Sequence, residues 1–396
     1  MRWLLVVGLM ALAACAPADT ATPAATLPAG ERPATPLPAT LAAEAIPPGF
    51  ASAEFKTDFT RHSVPFGEIF SGGPPKDGIP PIDAPQFVSV ADAEAWLRPV
   101  EPVIFVQVGD DARAYPLQIL TWHEIVNDTV GGAPLTVTFC PLCNTAIAFE
   151  RTLGERVLDF GTTGRLRYSN LIMYDRQTES WWQQATGEAI LGELTGERLT
   201  LYPATIIAWA DFMAQHPDGR VLSRETGFSR TYGINPYVGY DDVTQPPFLY
   251  RGPETPGRLA PVARVLALEL NGETVAYPYA VLEQWHVLND RAGGENIVVF
   301  WQPGTASALD TSTIADGRDV GAASAFISEV DGRPLTMRFV AGKYVDNETG
   351  SEWNAFGQAV GGELAGAELE PVVAVNHFWF SWAAFKPETR VFSSPP

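Results

Sequence analysis

Two cysteines spaced three residues apart are the side chains of this sequence best suited to chemistry. They are Cys140 and Cys143, in the run VTFCPLCNTA at 137–146, and Cys15 is the only further cysteine in 396 residues. Two thiols this close can hold a soft metal ion, alternate between dithiol and disulfide, or form a permanent local disulfide. The spacing alone leaves all three uses open.

A metal ion at this pair needs further ligands, because a tetrahedral site takes four and one Cys-x-x-Cys supplies two. His123 and Met173 are the best candidates for the remaining positions. Two thiolates, an imidazole and a thioether form a soft donor set that suits copper, with zinc as the other candidate metal. If Cys140 and Cys143 are instead a catalytic redox pair, at least one sulfur must be exposed with a lowered pKa.

The residues around the pair predict a tight turn between two strands. Leu135, Val137 and Phe139 alternate with threonines before it, and 146–151 alternate in the same way after it. A thioredoxin-like pair would instead open a helix, whose N-terminus lowers the thiol pKa. We therefore expect no thioredoxin-like arrangement.

The N-terminus predicts export and attachment to a membrane through lipid. Arg2 precedes a short apolar segment that ends in Leu-Ala-Ala-Cys, which resembles the lipobox of bacterial lipoproteins. We expect a signal peptide over 1–14 and acyl chains on Cys15, which would hold an extracytoplasmic protein to the cell membrane or the outer membrane. The stretch 15–48 is rich in Pro, Ala and Thr, which predicts an extended tether.

The charge of the chain limits its partners. The net charge is -20 and the pI is near 4.6, whereas nucleic acid and anionic lipid headgroups require a basic face. We therefore expect no nucleic acid, a membrane contact through the lipid anchor, and an envelope protein or glycan as the remaining kind of partner. The sequence contains no phosphate-binding loop, no HExxH and no Gly-x-Ser-x-Gly, so no enzyme class is indicated.

Matching segments in the same order divide the folded part of the chain in two. The matches are Ala-Tyr-Pro at 114–116 with 276–278, Trp122-His123 with Trp285-His286, Asn127-Asp128 with Asn289-Asp290, and the Thr-x-Ser-x-Trp segments at 178–182 and 349–353. We predict an α+β fold, in which a strand-rich unit with short helices is duplicated in tandem. The first repeat domain covers 49–244, a Pro-rich linker covers 245–261, and a second, degenerate repeat domain covers 262–396.

Each half is expected to open with a strand, at 103–108 or 265–270, which leads through a turn into a helix near Tyr-Pro. A further helix is expected over 205–215. The first helix is predicted to present an apolar face made of Leu117, Leu120, Ile125 and Val126.

The second half lacks the cysteine pair. Trp301 and Gly304 stand at about the places of the two cysteines, and His286 is matched to His123. A histidine kept where the cysteines are lost favours a hydrogen-bonded scaffold role over an obligatory ligand role. The segment 164–173 is poorly matched in the second half, which suggests that it helps to build the cysteine site.

Several motifs together resemble one bacterial family. They are GGPPKDGIP at 72–80, Ala-Tyr-Pro at 114–116, HEIVND at 123–128, FCPLC at 139–143 and MYDRQTES at 173–180. The combination resembles the family called domain of unknown function 3179, over most of 55–240 and more faintly beyond. The resemblance implies an exported protein and supplies no activity.

Two classes of function remain open. The first is a cell-envelope site at the cysteine pair, which binds copper or zinc or undergoes thiol–disulfide exchange. The second is a non-catalytic envelope module that binds a glycan or a protein, with the cysteines as a structural disulfide. In that second class a sugar-stacking surface would be formed by Trp181, Trp182, Trp353, Trp379 and Trp382, although aromatic residues at these spacings are more often core.

Overall fold

A computed structural model describes residues 45–48, 50 and 53–394. The expected signal peptide, Cys15 and all of the expected tether before residue 45 lie outside these residues. The fold is 40% strand and 12% helix, mostly sheets with short helices, so the strand-rich prediction is confirmed. None of the helices within the described ranges is long and apolar enough to cross a membrane.

The first half of the described chain consists of short strands and shorter helices. Its strands are β1 (Ile69–Ser71), β2 (Phe87–Ser89), β3 (Pro102–Val108), β4 (Asp111–Pro116), β5 (Ile125–Val130), β6 (Ala133–Cys140), β7 (Thr145–Glu150), β8 (Thr152–Leu153), β9 (Arg156–Val157), β10 (Phe160–Arg167), β11 (Asn170–Asp175), β12 (Trp181–Gln183), β13 (Glu188–Leu191), β14 (Leu201–Tyr202), β15 (Thr205–Ala208) and β16 (Arg220–Leu222). Its α-helices are α1 (Val90–Ala93), α2 (Leu117–His123) and α3 (Trp209–Gln215), and 3₁₀ turns lie at Phe66–Glu68 and Pro141–Cys143.

Most of these strands form three sheets, in the orders β1-β10-β11-β12-β13, β14-β7-β6-β5 and β15-β3-β4-β16-β2, and β8 and β9 pair as a separate two-stranded sheet. The first two sheets share a buried apolar layer that contains Phe149 of β7, Met173 of β11 and Trp182 of β12. Because side chains alternate along a strand, Met173 faces this layer whereas its neighbours Ile172 and Tyr174 face another one. This layer is the one in which the cysteine turn lies.

The second half contains strands β17 (Arg264–Leu270), β18 (Glu273–Pro278), β19 (Val287–Ala292), β20 (Glu295–Gln302), β21 (Ala322–Ile327), β22 (Glu329–Val330), β23 (Arg333–Pro334), β24 (Met337–Val340), β25 (Lys343–Asp346), β26 (Glu352–Trp353), β27 (Ala359–Gly361), β28 (Ala374–Phe378) and β29 (Arg390–Val391). Its α-helices are α4 (Tyr279–Trp285) and α5 (Trp379–Phe385), and a 3₁₀ turn lies at Ile314–Asp316. Its larger sheets have the orders β28-β17-β18-β29, β19-β20-β21 and β24-β25-β26-β27.

The principal sheet of each half has the same pairings. β3 and β4 form an antiparallel pair, β15 is antiparallel to β3, and β16 is parallel to β4. β17, β18, β28 and β29 are paired in the same three ways. Each central hairpin leads into a seven-residue helix, α2 or α4, which follows a proline with extended backbone.

Buried side-chain hydrogen bonds also recur in the two halves. In each half a buried tyrosine and a buried tryptophan each donate to an aspartate. The bonds run from Tyr115 Oη to Asp128 Oδ2 (2.6 Å), from Tyr277 Oη to Asp290 Oδ2 (2.8 Å), from Trp182 Nε1 to Asp175 Oδ2 (2.9 Å) and from Trp353 Nε1 to Asp346 Oδ2 (3.0 Å).

Two predicted helices are shorter than expected. α2 ends at His123, and the chain reverses into β5, so Ile125 and Val126 lie in a strand and not on the helix. The residues 205–208 likewise form β15, paired with β3, and α3 begins only at Trp209. Both strands are almost wholly buried, so their apolar runs lack the alternation that separates a strand from a helix.

The tryptophans proposed as a stacking surface are core residues. Trp181, Trp182 and Trp379 are fully buried, and Trp353 and Trp382 are at most 7% exposed. The sugar-stacking hypothesis is therefore wrong for these side chains, because their rings pack inside the protein.

Candidate functional site

Cys140 and Cys143 bracket a tight turn between β6 and β7. β6 ends at Cys140, Pro141 begins a single 3₁₀ turn that ends at Cys143, and Asn144 then adopts a left-handed φ of 49°. Proline presets such a turn, and asparagine tolerates a positive φ better than most residues. Thr145 begins β7 directly opposite Cys140, so the predicted turn between strands is confirmed.

The two thiols face the same carbonyl oxygen. The Sγ atoms of Cys143 and Cys140 lie 3.4 Å and 3.9 Å from the carbonyl oxygen of Ser169. Both residues are free cysteines and are buried. Ser169 lies in the two-residue turn that joins β10 to β11, so the segment 164–173 does contribute to the cysteine site.

The environment keeps the Cys140 thiol protonated. Burial raises the pKa of Cys140 well above its usual value, and the hydrogen bond with Cys143 and the nearby carboxyl of Glu124 raise this pKa further. A thiol that attacks a disulfide must be reachable and must ionise, since the thiolate is the nucleophile. Both sulfurs are instead buried, and the pKa of Cys140 is raised.

Glu124 is a site residue that the sequence argument missed. It caps the C-terminal end of α2 with a φ of 59°, and its carbonyl oxygen accepts a hydrogen bond from the Phe139 N–H (2.8 Å). Burial raises the pKa of its carboxyl to about 8, so the carboxyl is mostly neutral at pH 7. The sequence signal was an acidic residue directly before the apolar pair Ile125-Val126.

His123 is engaged away from the cysteine pair. Its Nδ1 lies 2.7 Å from the Pro80 carbonyl oxygen, and its Nε2 lies 2.7 Å from Tyr232 Oη. Burial lowers the pKa of the imidazole. Within the described ranges, no three His, Cys, Asp or Glu side chains are placed to share a metal ion. The structure therefore does not bring His123 to the cysteines as a ligand.

The predicted match between His123 and His286 differs from the structural correspondence. His286 caps the C-terminal end of α4 with a φ of 61°, which is the position and conformation of Glu124 at the end of α2. Trp285, the last residue of α4, corresponds to His123. The sequence match of the two Trp-His pairs is therefore one residue out of register with the structure, and the second half has no histidine at the place of His123.

The same comparison of the two halves also changes the first-half residue to which Trp301 is matched. The backbone N–H of Trp301 donates to the carbonyl oxygen of His286, which caps α4. The backbone N–H of Phe139 donates in the same way to the carbonyl oxygen of Glu124, which caps α2. Trp301 therefore corresponds to Phe139, and Gln302, at the end of β20, corresponds to Cys140. Gly304 lies in the irregular stretch that follows β20.

Met173 lies in the same buried layer as the two cysteines. It is paired with Thr162 of β10 and Trp182 of β12, and it is completely buried. Its apolar cluster includes Cys140 and Cys143. Of the two further ligands expected from the sequence, Met173 is the one that shares a layer with the thiols.

The end of the first half and the predicted linker both contact the cysteine site. Ser169 Oγ donates to the Phe248 carbonyl oxygen (2.8 Å), and Tyr240 Oη donates to the Leu142 carbonyl oxygen (2.9 Å). Burial and then the two thiols raise the pKa of Tyr240. The predicted linker 245–261 thus takes part in the site, through a backbone carbonyl that no side-chain pattern reveals.

The model of the family described as protein of unknown function DUF3179 matches residues 76–389. The chain belongs to this family. The DUF3179 match extends well beyond the 55–240 region of closest motif resemblance and includes the cysteine turn, β11 and most of the second half. No curated protein and no solved structure matches the chain.

Proposed function

We propose that this DUF3179 protein binds Cu(I) through the sulfur atoms of Cys140, Cys143 and Met173, as an exported, lipid-anchored protein of the cell envelope. The observation that carries the proposal is the convergence of both thiols on one carbonyl oxygen, in a buried layer that also contains Met173. Thiolate and thioether sulfur are the soft ligands that suit Cu(I). The apolar layer would also control access of solvent to the metal.

The donor set favours Cu(I) over zinc. Structural zinc takes four ligands, which are most often Cys and His. Both ring nitrogens of His123 have hydrogen-bond partners, and no third His, Cys, Asp or Glu joins the pair within the described part of the chain. The remaining donor type is the thioether of Met173, which suits a soft monovalent ion.

The same surroundings disfavour thiol–disulfide exchange. Cys140 and Cys143 are 1% and 0% exposed, and the raised pKa of Cys140 lowers its thiolate fraction. Outside the cytoplasm, exposed thiols are readily oxidised. Burial of the pair would protect the two thiols in the proposed location. A shielded pair can remain reduced until a metal displaces its protons.

We infer that the two halves are copies of one unit, on the basis of the shared strand pairings and the recurring buried hydrogen bonds. Met173 and Tyr344 then correspond, because they pair with the matched residues Trp182 and Trp353. Tyr344 Oη donates to the Trp301 carbonyl oxygen (2.6 Å). Since the second copy fills this place with a hydrogen-bonded ring, the fold itself does not require sulfur there.

The test is an anaerobic Cu(I) titration of the full-length protein carrying Cys15→Ser, so that the pair supplies the only thiols. Competition with a chromophoric chelator is expected to give one Cu(I) per chain. Cys140→Ser and Cys143→Ser should abolish this binding. Met173→Leu should weaken it, whereas Met337→Leu, at a buried methionine of β24, should leave it unchanged.

Circular dichroism of each variant controls for misfolding. A reduced parent protein that takes up no Cu(I) would refute the proposal. Equal affinities of the two methionine variants would remove Met173 from the ligand set and leave a two-sulfur site.

A further inference from the structure

A second concave site lies between the two halves. It is a cleft of about 370 Å³, whose lining includes none of the residues of the cysteine site. Its volume falls in the range of small-molecule sites, roughly 300–1,000 Å³. The principal side chains of its walls are Phe105, Tyr202 and His216 from the first half and Phe326, Phe356 and Glu368 from the second.

Aromatic rings form the walls of the cleft. Phe105 is half-buried and stacks on His216, with ring centroids 4.7 Å apart and planes at 28°. Tyr202 is held by a hydrogen bond from its Oη to the Gln107 carbonyl oxygen (2.8 Å). Tyr202 and Phe356 are also half-buried, so these rings offer a planar ligand apolar surface that the protein leaves uncovered.

A carboxylate and a neutral imidazole supply hydrogen-bond acceptors in the cleft. Glu368 is exposed, and its Oε1 accepts from Gln358 Nε2 (3.1 Å) while Oε2 makes no hydrogen bond to the described residues. Burial lowers the pKa of His216, although the charge of Glu368 acts in the opposite direction. A neutral imidazole keeps one nitrogen as an acceptor.

We propose that this cleft binds a small aromatic amine, with its ring between the aromatic walls and its ammonium group at Glu368 and His216. The lining contains no lysine or arginine, so a carboxylate ligand would meet Glu368 without a compensating cation. The net charge of -20 also raises the local concentration of cations. The cleft is independent of copper binding.

The probe is 2-phenylethylamine, titrated into the full-length protein by isothermal titration calorimetry, with 3-phenylpropionate as the anionic counterpart. The amine should bind and the anion should not. Glu368→Gln should weaken the binding of the amine about fivefold, as loss of one solvent-exposed ion pair predicts. Glu370→Gln, an exposed neighbour outside the lining, should leave the affinity unchanged.

Phe356→Ala tests the aromatic wall and should weaken the amine severalfold. Thermal denaturation identifies any variant that fails to fold, and in that event the Glu368→Gln result decides. The proposal is overturned if the parent does not bind the amine, if the anion binds as tightly, or if the two glutamate variants behave alike.

Discussion

Glu124 is expected to make the stability of the protein fall as the pH rises. Burial raises the pKa of its carboxyl from 4.5 to about 8, whereas the unfolded chain keeps the lower value. Its contribution to stability is therefore full below pH 4.5 and is lost as the pH rises through 8. Each pH unit between these two pKa values lowers the free energy of unfolding by about 1.4 kcal/mol. The loss therefore amounts to roughly 3 kcal/mol at pH 7 and roughly 5 kcal/mol at pH 9.

Glu124→Gln isolates this effect, because glutamine is neutral at every pH and has nearly the same shape. The variant should match the parent near pH 4.5 and exceed it in free energy of unfolding by roughly 3 kcal/mol at pH 7 and roughly 5 kcal/mol at pH 9. Urea denaturation followed by tryptophan fluorescence measures both proteins at each pH. Titrations of groups that do not interact with Glu124 cancel in the difference between the two proteins.

Glu155→Gln is the matched control, because Glu155 is exposed in the turn between β8 and β9. Its difference from the parent should stay near zero throughout. A difference between Glu124→Gln and the parent that does not change from pH 5 to pH 9 would contradict the reasoning, since it would mean that the carboxyl ionises as readily in the folded state as in the unfolded one.

Three further predictions concern other parts of the chain. Cys15→Ser should move the protein from the membrane fraction to the soluble envelope fraction, and continued membrane attachment would exclude the lipid anchor. Asp128→Ala should cost about 1–2 kcal/mol more unfolding free energy than Asp290→Ala, because it removes one of the two carboxylates, Asp111 and Asp128, that pair with the buried Arg113, whereas Arg390, the partner of Asp290, is 40% exposed; equal costs would contradict this. The two thiols of the turn should react with a thiol reagent far more slowly in the native protein than in urea, and equal rates would contradict their burial.

The pattern of apolar and polar residues along the sequence predicted the strands of this fold better than it predicted the helices. Phe139 and its neighbours alternate with threonines, and β6 lies where that pattern indicated. Ile125 and Val126 gave no such signal, because β5 is buried on both faces and its apolar residues fit a helix equally well. The positive φ of Glu124, which separates α2 from β5, is absent from any hydrophobicity pattern.

The two cysteines of the candidate site could be predicted from the sequence, whereas the contacts of the residues around them could not. The sequence indicated that the cysteines and segment 164–173, which is poorly matched in the second half, belong to one place, and both thiols do lie near the Ser169 carbonyl oxygen of that segment. The position of His123 depends on long-range contacts with Pro80 and Tyr232, which local sequence does not encode. The raised pKa of Glu124 likewise follows from burial by distant segments.

Residues with a positive φ help to distinguish features that both halves share from features found at the cysteine site alone. Glu124 has a positive φ, but so does His286 at the corresponding helix end, so this conformation is part of the general architecture. Two-residue turns with positive φ likewise join β10 to β11 and β24 to β25.

Asn144 is different, because β6 returns at once through the cysteine turn into β7, whereas β20, which ends at the corresponding residue Gln302, is followed by the long stretch 303–321 before β21. The left-handed residue, the preceding proline and the two thiols therefore form one local unit found in the first half. A turn that serves only to join two strands would not need its two thiols turned toward a third segment. Their convergence on the Ser169 carbonyl oxygen is the reason to look for a bound ion there before looking elsewhere in the first half.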